Sequence, residues 1–273
     1  MPGQPIIKNM ALFCDFENIA LGVREAKYPQ FDIKRVLERL LLKGSIVVRK
    51  AYCDWERYKE FKAAMHEAAF ELIEIPHVRQ SGKNSADIRM VVDALDLCYT
   101  KAHVDTFVVI SGDSDFSPLV AKLRENNKLV IGVGVKKSTS DLLTSACDEF
   151  IYYDDLVRED AQKKRRTTRK PSKAGAKEGA PPRGREEDKR QEALDLVLET
   201  VEALQAERGE EERVWGSMVK QALKRRKPGF NESYFGFRSF SALLEEAERR
   251  RLLRMERDER SGGYIIHLPA QED

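Results

Sequence analysis

The chain has little that points to a membrane, a disulfide framework or a zinc site. It has no apolar run approaching the roughly 18 residues of a spanning helix, and no signal-peptide pattern at its N-terminus. Its four cysteines, Cys14, Cys53, Cys98 and Cys147, lie far apart and form no CxxC pair. They read as reduced thiols, most of them in apolar patterns, and the expected compartment is the cytoplasm. The four histidines show no zinc-ligand spacing with them. Nor does any histidine pair offer a general acid and base. The formal net charge is only +2, so overall charge selects no partner.

What remains is a chain of 273 residues, 41% hydrophobic and 34% charged, long enough for one large domain or two smaller ones. Strand-like runs at Ala11–Cys14, Ile46–Tyr52, Glu71–Ile75, Thr106–Ile110 and Leu129–Val135 alternate with helical periodicity. Ile33, Val36, Leu37, Leu40 and Leu41 share one helix, with Asp32 as its expected N-cap. Further helices are marked by Phe61, Met65 and Ala68; by Ile88, Val91, Val92, Leu95 and Tyr99; by Leu119, Val120 and Leu123; and by Leu142 to Cys147. This alternation predicts an α/β domain over residues 1–157, a parallel sheet covered by helices.

Residues 158–190 contain many Pro, Gly, Lys and Arg and almost no large apolar residue, so a flexible basic linker is expected there. Such a segment is either a soluble spacer or a phosphate-attracting tether. Residues 191–273 resume helical patterns around Leu194–Leu204, Trp215–Leu223 and Phe240–Ala247. Two short strand patterns then flank Ser261-Gly262-Gly263. Three helices followed by a hairpin predict a small winged-helix domain.

Carboxylates recur at the ends of strand patterns. Asp15 follows the first apolar run in DFEN, and Asp113 and Asp115 follow Thr106–Ile110 in SGDSDF. Ligand sites of open α/β sheets form at the carboxyl ends of strands. Acidic oxygens meeting there suit Mg²⁺ or Mn²⁺. Asp15 suits a capping role equally well. Asn18 can orient Asp15, hold a metal-bound water or touch a phosphate, and Ser111 can hold such a water. In GKNSAD, Ser85 is an expected N-cap, which places Asp87 in a first helical turn favourable to acids. Lys83 is a candidate phosphate contact. Asp93 faces another way at helical pitch and is expected either to be structural or to support the ligands from behind.

DFEN, GKNSAD and SGDSDF, followed by the strand Leu129–Val135 and the closing SACDEFIYYDDL, resemble an NYN domain of the PIN-like ribonuclease superfamily. The resemblance implies a Rossmann-like three-layer fold and metal-dependent endonucleolytic cleavage of RNA. It carries the family's acidic ligands onto Asp15, Asp87 and Asp113, with Asp115 nearby. In a two-metal scheme Asp113 would bridge the ions. The family also has members without demonstrated catalysis, so a non-catalytic RNA-binding or scaffold protein is the alternative. A receiver-like switch is disfavoured because the third strand ends Ile75-Pro76-His77 without an acceptor Asp. A dehydrogenase is disfavoured because no GxGxxG follows the first strand.

The pieces Trp215–Leu223, Pro228-Gly229-Phe230 and Tyr234-Phe235-Gly236-Phe237 leading to Phe240 resemble a LOTUS, or OST-HTH, domain. Phe230, Tyr234, Phe237 and Phe240 are expected in its core. Lys220, Lys224, Arg225, Arg226, Lys227 and Arg238 are candidate RNA contacts, though charge runs are commonly solvated helix faces. The resemblance implies RNA as a partner, single-stranded or structured, and an RNA helicase or other RNA-processing protein as a second.

Overall fold

The computed structural model describes residues 8–75, 85–159, 161, 183–209, 212–227, 230–258 and 262–269. They form two compact units, the larger built on a six-stranded sheet and the smaller on a three-stranded one.

In the larger unit β1 (Lys8–Asp15) runs straight into α1 (Phe16–Glu25), followed by α2 (Ile33–Lys43), β2 (Gly44–Cys53), α3 (Lys59–Glu67) and β3 (Glu71–Glu74). Then come α4 (Ser85–Thr100), β4 (Thr106–Ile110), a 3₁₀ turn at Ser114–Phe116, α5 (Ser117–Glu125) and β5 (Leu129–Gly134). After a second 3₁₀ turn, Lys136–Ser138, lie α6 (Asp141–Ala146), β6 (Glu149–Tyr152) and a helix over residues 153–159, α7. All strand pairs in this sheet are parallel, in the order β3-β2-β1-β4-β5-β6.

The central strands are apolar on both faces, as a parallel sheet covered by helices requires. Met10, Leu12 and Cys14 of β1 face one layer with Ile19 and Val23 of α1, Val36 and Leu40 of α2, Met65 of α3 and Leu156 of α7. Ala11 and Phe13 face the other with Met90, Ala94 and Cys98 of α4, Leu119 and Leu123 of α5, and Leu143 of α6. This is the three-layer α/β architecture expected from the alternation. Asp32 caps α2 as expected, accepting the Lys34 amide at 3.1 Å.

In the larger unit α1, β6 and α7 are not marked by the sequence patterns. α1 starts directly after β1, and its Phe16 packs within 5.0–6.0 Å of the rings of Phe31, Trp55, Tyr58 and Phe61. β6 is a four-residue edge strand. The apolar pattern expected to mark the inner face of α4 also differs. Ile88, Val92 and Tyr99 are exposed, and Met90, Ala94 and Cys98 make the sheet contact.

The smaller unit has α8 (Arg183–Arg208), β7 (Val214–Trp215), α9 (Gly216–Arg226), α10 (Phe240–Arg249), β8 (Arg254–Arg257) and β9 (Tyr264–His267). The strands pair antiparallel in the order β7-β9-β8, the three-helix-plus-wing arrangement. Its core joins Leu194, Val197 and Val201 of α8, Val219 and Leu223 of α9, and Leu243 and Leu244 of α10. α8 begins at Arg183, within the stretch read as linker; residues 162–182 of that stretch lie outside the described residues. Phe230, Phe237 and Phe240 are core, but Tyr234 is 63% exposed and Phe235 takes the buried place.

Candidate active site

β1 and β4 pair in parallel with Cys14 level with Ile110, so the strands end side by side. That register sets Asp15 beside Ser111. The Ser111 hydroxyl donates to Asp15 Oδ2 at 2.8 Å, and the Asn18 amide donates to Asp15 Oδ1 at 3.4 Å. Asp15 therefore both ends a strand and caps α1. It is 7% exposed.

Asn18 links the two strand ends through its side chain. Its Oδ1 accepts the Gly112 amide at 2.9 Å. Gly112 is packed so closely that a Cβ would lie 2.4 Å from the Ser138 carbonyl oxygen. The Gly112 carbonyl in turn accepts the Ser140 amide at 2.9 Å. The loop carrying the next carboxylates is thus held from two sides. The Asp113 amide donates to Ser111 Oγ at 3.2 Å, and Asp113 Oδ1 accepts the Asp115 amide at 2.9 Å. Asp113 caps the following 3₁₀ turn through Oδ1, and Oδ2 has no hydrogen bond among the described residues.

Asp87 lies in the first turn of α4. Burial, then the charges of Asp113, Asp115 and Glu17, push its carboxyl above the ordinary value. Asp15 is pushed up to about 7, chiefly by burial and further by the charges of Asp87 and Asp113; the Ser111 and Asn18 hydrogen bonds oppose this. Burial of a carboxylate disfavours its charged form, and nearby like charges add to that. Among the described residues no lysine or arginine pairs with Asp15, Asp87, Asp113 or Asp115.

Asp93, by contrast, is engaged by cations. Lys50 Nζ donates to it at 3.1 Å, Tyr52 Oη at 2.9 Å and Arg89 Nε at 3.0 Å. Burial works to raise its carboxyl, but the Lys50 and Tyr52 hydrogen bonds and the Lys50 and Arg89 charges bring it below the ordinary range. It is a structural hub, one of the two roles expected from its position on the helix. Glu17 would point away from the site on an extended chain. Instead it lies in the first turn of α1 and pairs with Arg57 at 3.1 Å.

The acidic rim has the hard oxygen donors that Mg²⁺ or Mn²⁺ prefers. Among the described residues no three potential ligands already converge on one point. These residues therefore fit an ion that keeps much of its water, as Mg²⁺ does, rather than a closed protein cage.

The basic candidates differ in availability. Lys83 lies outside the described residues. Lys224 and Arg238 are exposed. Lys220 pairs with Glu232 at 3.2 Å and keeps partial exposure. Arg226 pairs with Glu199 at 2.8 Å and its side chain is only 9% exposed. Burial draws the Arg225 guanidinium below its ordinary value. The sequence patterns do not mark one aromatic handle: Lys189 Nζ stands 4.4 Å from the ring centroid of the exposed Tyr234.

No helix among the described residues is long and apolar enough to cross a membrane. Residues 9–154 match the family model described as the NYN domain. An uncharacterised protein of Methanocaldococcus jannaschii is 28% identical over 138 residues, covering 50% of this chain and 54% of the relative. The chain therefore spans about half the length of that curated relative. A crystal structure of a protein of unknown function from Vibrio parahaemolyticus is 27% identical, with a TM-score of 0.50, covering 56% of this chain and 98% of that one.

Proposed function

The chain belongs to the NYN domain family, and from that membership we propose that it is a divalent-metal-dependent endoribonuclease. The observation that carries this reading is the buried carboxylate of Asp15, which pairs with no lysine or arginine among the described residues and feels the charges of Asp87 and Asp113. An acidic rim of this kind needs positive charge before a phosphodiester can approach it. Mg²⁺ or Mn²⁺, when bound, supplies that charge and makes water a better nucleophile. The four carboxylates Asp15, Asp87, Asp113 and Asp115 match in charge two such ions.

The protein's own residues do the positioning. Ser111 and the Asn18 amide fix both oxygens of Asp15. Asn18 Oδ1 and the Ser138 wall hold Gly112, and so the place of Asp113. Oδ2 of Asp113 is left to face a ligand. Groups held by their neighbours before substrate arrives lose little on reaction.

The smaller unit fits the RNA-capturing LOTUS, or OST-HTH, module in this reading. Lys220, Lys224 and Arg238 are its phosphate contacts, with Arg225 and Arg226 in lesser roles. Linking such a module to the nuclease raises local RNA concentration. A helicase or other RNA-processing protein is a further partner in this reading.

A second reading, a non-catalytic RNA-binding scaffold, is favoured by one observation: no three ligands converge among the described residues. Labelled single-stranded and hairpin RNA, incubated with Mn²⁺, Mg²⁺ or EDTA, separates the two. Metal-dependent cleavage by the wild type, lost in Asp113→Asn, is the expected outcome. Equal RNA binding without cleavage by either protein would instead support the scaffold.

A further inference from the structure

α4 is apolar on two sides. Met90, Ala94 and Cys98 pack on the sheet. Ile88, Val92 and Tyr99 lie on the opposite side, 63%, 55% and 64% exposed. At about 100° per residue these three fall within about 40° of one another, with the half-buried Leu95 on their edge. A helix at the surface of a domain ordinarily turns a polar face to water. Here an apolar stripe along the helix takes that place.

We propose that this stripe is a self-association surface, on which α4 of a second copy of the chain packs antiparallel about a two-fold axis. The argument is self-complementarity, the requirement of an isologous interface. An axis between Val92 and Leu95 sets Ile88 against Tyr99 of the second copy and Val92 against its Leu95. The largest side chain then meets the branched one at each end, and the two middle-sized residues meet at the centre.

The charges beside the stripe obey the same symmetry. Arg89 and Asp96 lie on one flank, and antiparallel packing brings that flank against its own equivalent. Arg89 of each copy then faces Asp96 of the other. The midpoint of this pair differs from that of the apolar pairs by about one residue, so Arg89 and the facing Asp96 are offset by about two residues, about 3 Å along the helix, which an arginine side chain spans. Arg89 bonds Asp93 through Nε, and its planar fork retains further donors for a second carboxylate. In a parallel pairing the two-fold axis would run along the helices and carry this flank to the far side of the seam, so Arg89 and Asp96 of the two copies would not face each other.

Sedimentation equilibrium of the full chain tests this. The wild type is expected to form a dimer. Val92→Glu is expected to weaken self-association at least about tenfold while leaving the melting temperature of the monomer unchanged, since Val92 is exposed. The charge pair gives the sharper test. Asp96→Arg alone and Arg89→Asp alone should each be monomeric, while an equimolar mixture of the two variants should recover a dimer containing one of each. A wild type that stays monomeric across concentration would overturn the proposal, as would a dimer indifferent to Val92→Glu. Failure of the mixed variants to pair would also overturn it, because charge complementarity selects the second copy over any other occupant.

Discussion

The Ser111 hydroxyl donates to Asp15 Oδ2 at 2.8 Å from a neighbouring strand 96 residues away in sequence. Ser111 is fully buried, so nothing replaces this bond when it is removed. Ser111→Ala should cost about 1.5–3 kcal/mol where Asp15 is charged, the range for a hydrogen bond to a charged group. It should also push Asp15 above about 7, since this bond is the largest effect holding its carboxyl down. The pH profile of RNA cleavage should therefore move to higher pH, and an unmoved profile would count against Asp15 as the controlling group.

Asp15 also makes metal-free stability depend on pH. Its carboxyl in the folded chain, at about 7, lies above the ordinary 3.8. Between those values the folded state holds a proton that the unfolded state releases. Stability therefore falls as pH rises from about 4 to about 7, by at most about 1.4 kcal/mol per pH unit. Asp87, also raised, acts in the same direction. Thermal melts in EDTA across that interval should show this slope. Asp15→Asn should flatten it, and added Mn²⁺ should stabilise the wild type but not the variant.

Asn18→Ala leaves the Gly112 amide without its acceptor. An orphaned buried donor costs about 1–3 kcal/mol. Asn18→Asp keeps an acceptor oxygen but adds a like charge near Asp15. Urea melts should rank the variants wild type, Asp, Ala below about pH 5, where the new carboxyl is partly neutral. Cleavage at neutral pH should be impaired in both.

Gly112→Ala tests the wall beneath Asp113. Its Cβ would lie 2.4 Å from the Ser138 carbonyl oxygen, a backbone atom, so one of the two loops must move. A loss of about 1–3 kcal/mol is expected from overpacking, together with loss of cleavage beyond what stability explains. Retained cleavage at low temperature would show that the loop shifts without carrying Asp113 away.

Asp93→Asn should separate structure from chemistry. Lys50, Tyr52 and Arg89 all bond to this one carboxylate. Removing the charge from so enclosed a network should cost about 3–5 kcal/mol at most. The stabilisation by Mn²⁺ should nonetheless persist, because Asp93 faces its cations and not the rim. Differential scanning calorimetry with and without the ion reads both effects.

Five strands are legible as apolar runs, and helical pitch alone turns Asp93 away from Asp87, though its partners Lys50 and Tyr52 come from the fold. α1 is not legible, because Asp15 is both the last residue of β1 and the cap of α1, leaving no loop to mark the change. Phe16, Ile19 and Val23 are the available signal, at helical spacing directly behind a strand. Exposure on α4 is illegible for another reason. Two apolar faces give a helix no preferred side in sequence, and only packing shows that the small residues Ala94 and Cys98 turn inward. Tyr234 is misplaced by sequence because Phe235, its neighbour, competes for the same core position with a ring that has no hydroxyl to satisfy. In the site, the acids are visible one by one. The Asn18–Gly112 bond, which spans 94 residues, is not.

The strand order has a practical corollary. β1, β2 and β3 occupy one side of the sheet, β4, β5 and β6 the other, and the β1–β4 ladder is the seam between them. Asp15 comes from the first half and Asp113 from the second, with the chain passing between halves through residues 101–105. A chain cut there yields two fragments, neither holding the full set of acids. Under the proposed function, reassembly would restore cleavage, making the domain a split reporter for whatever proteins bring its fragments together.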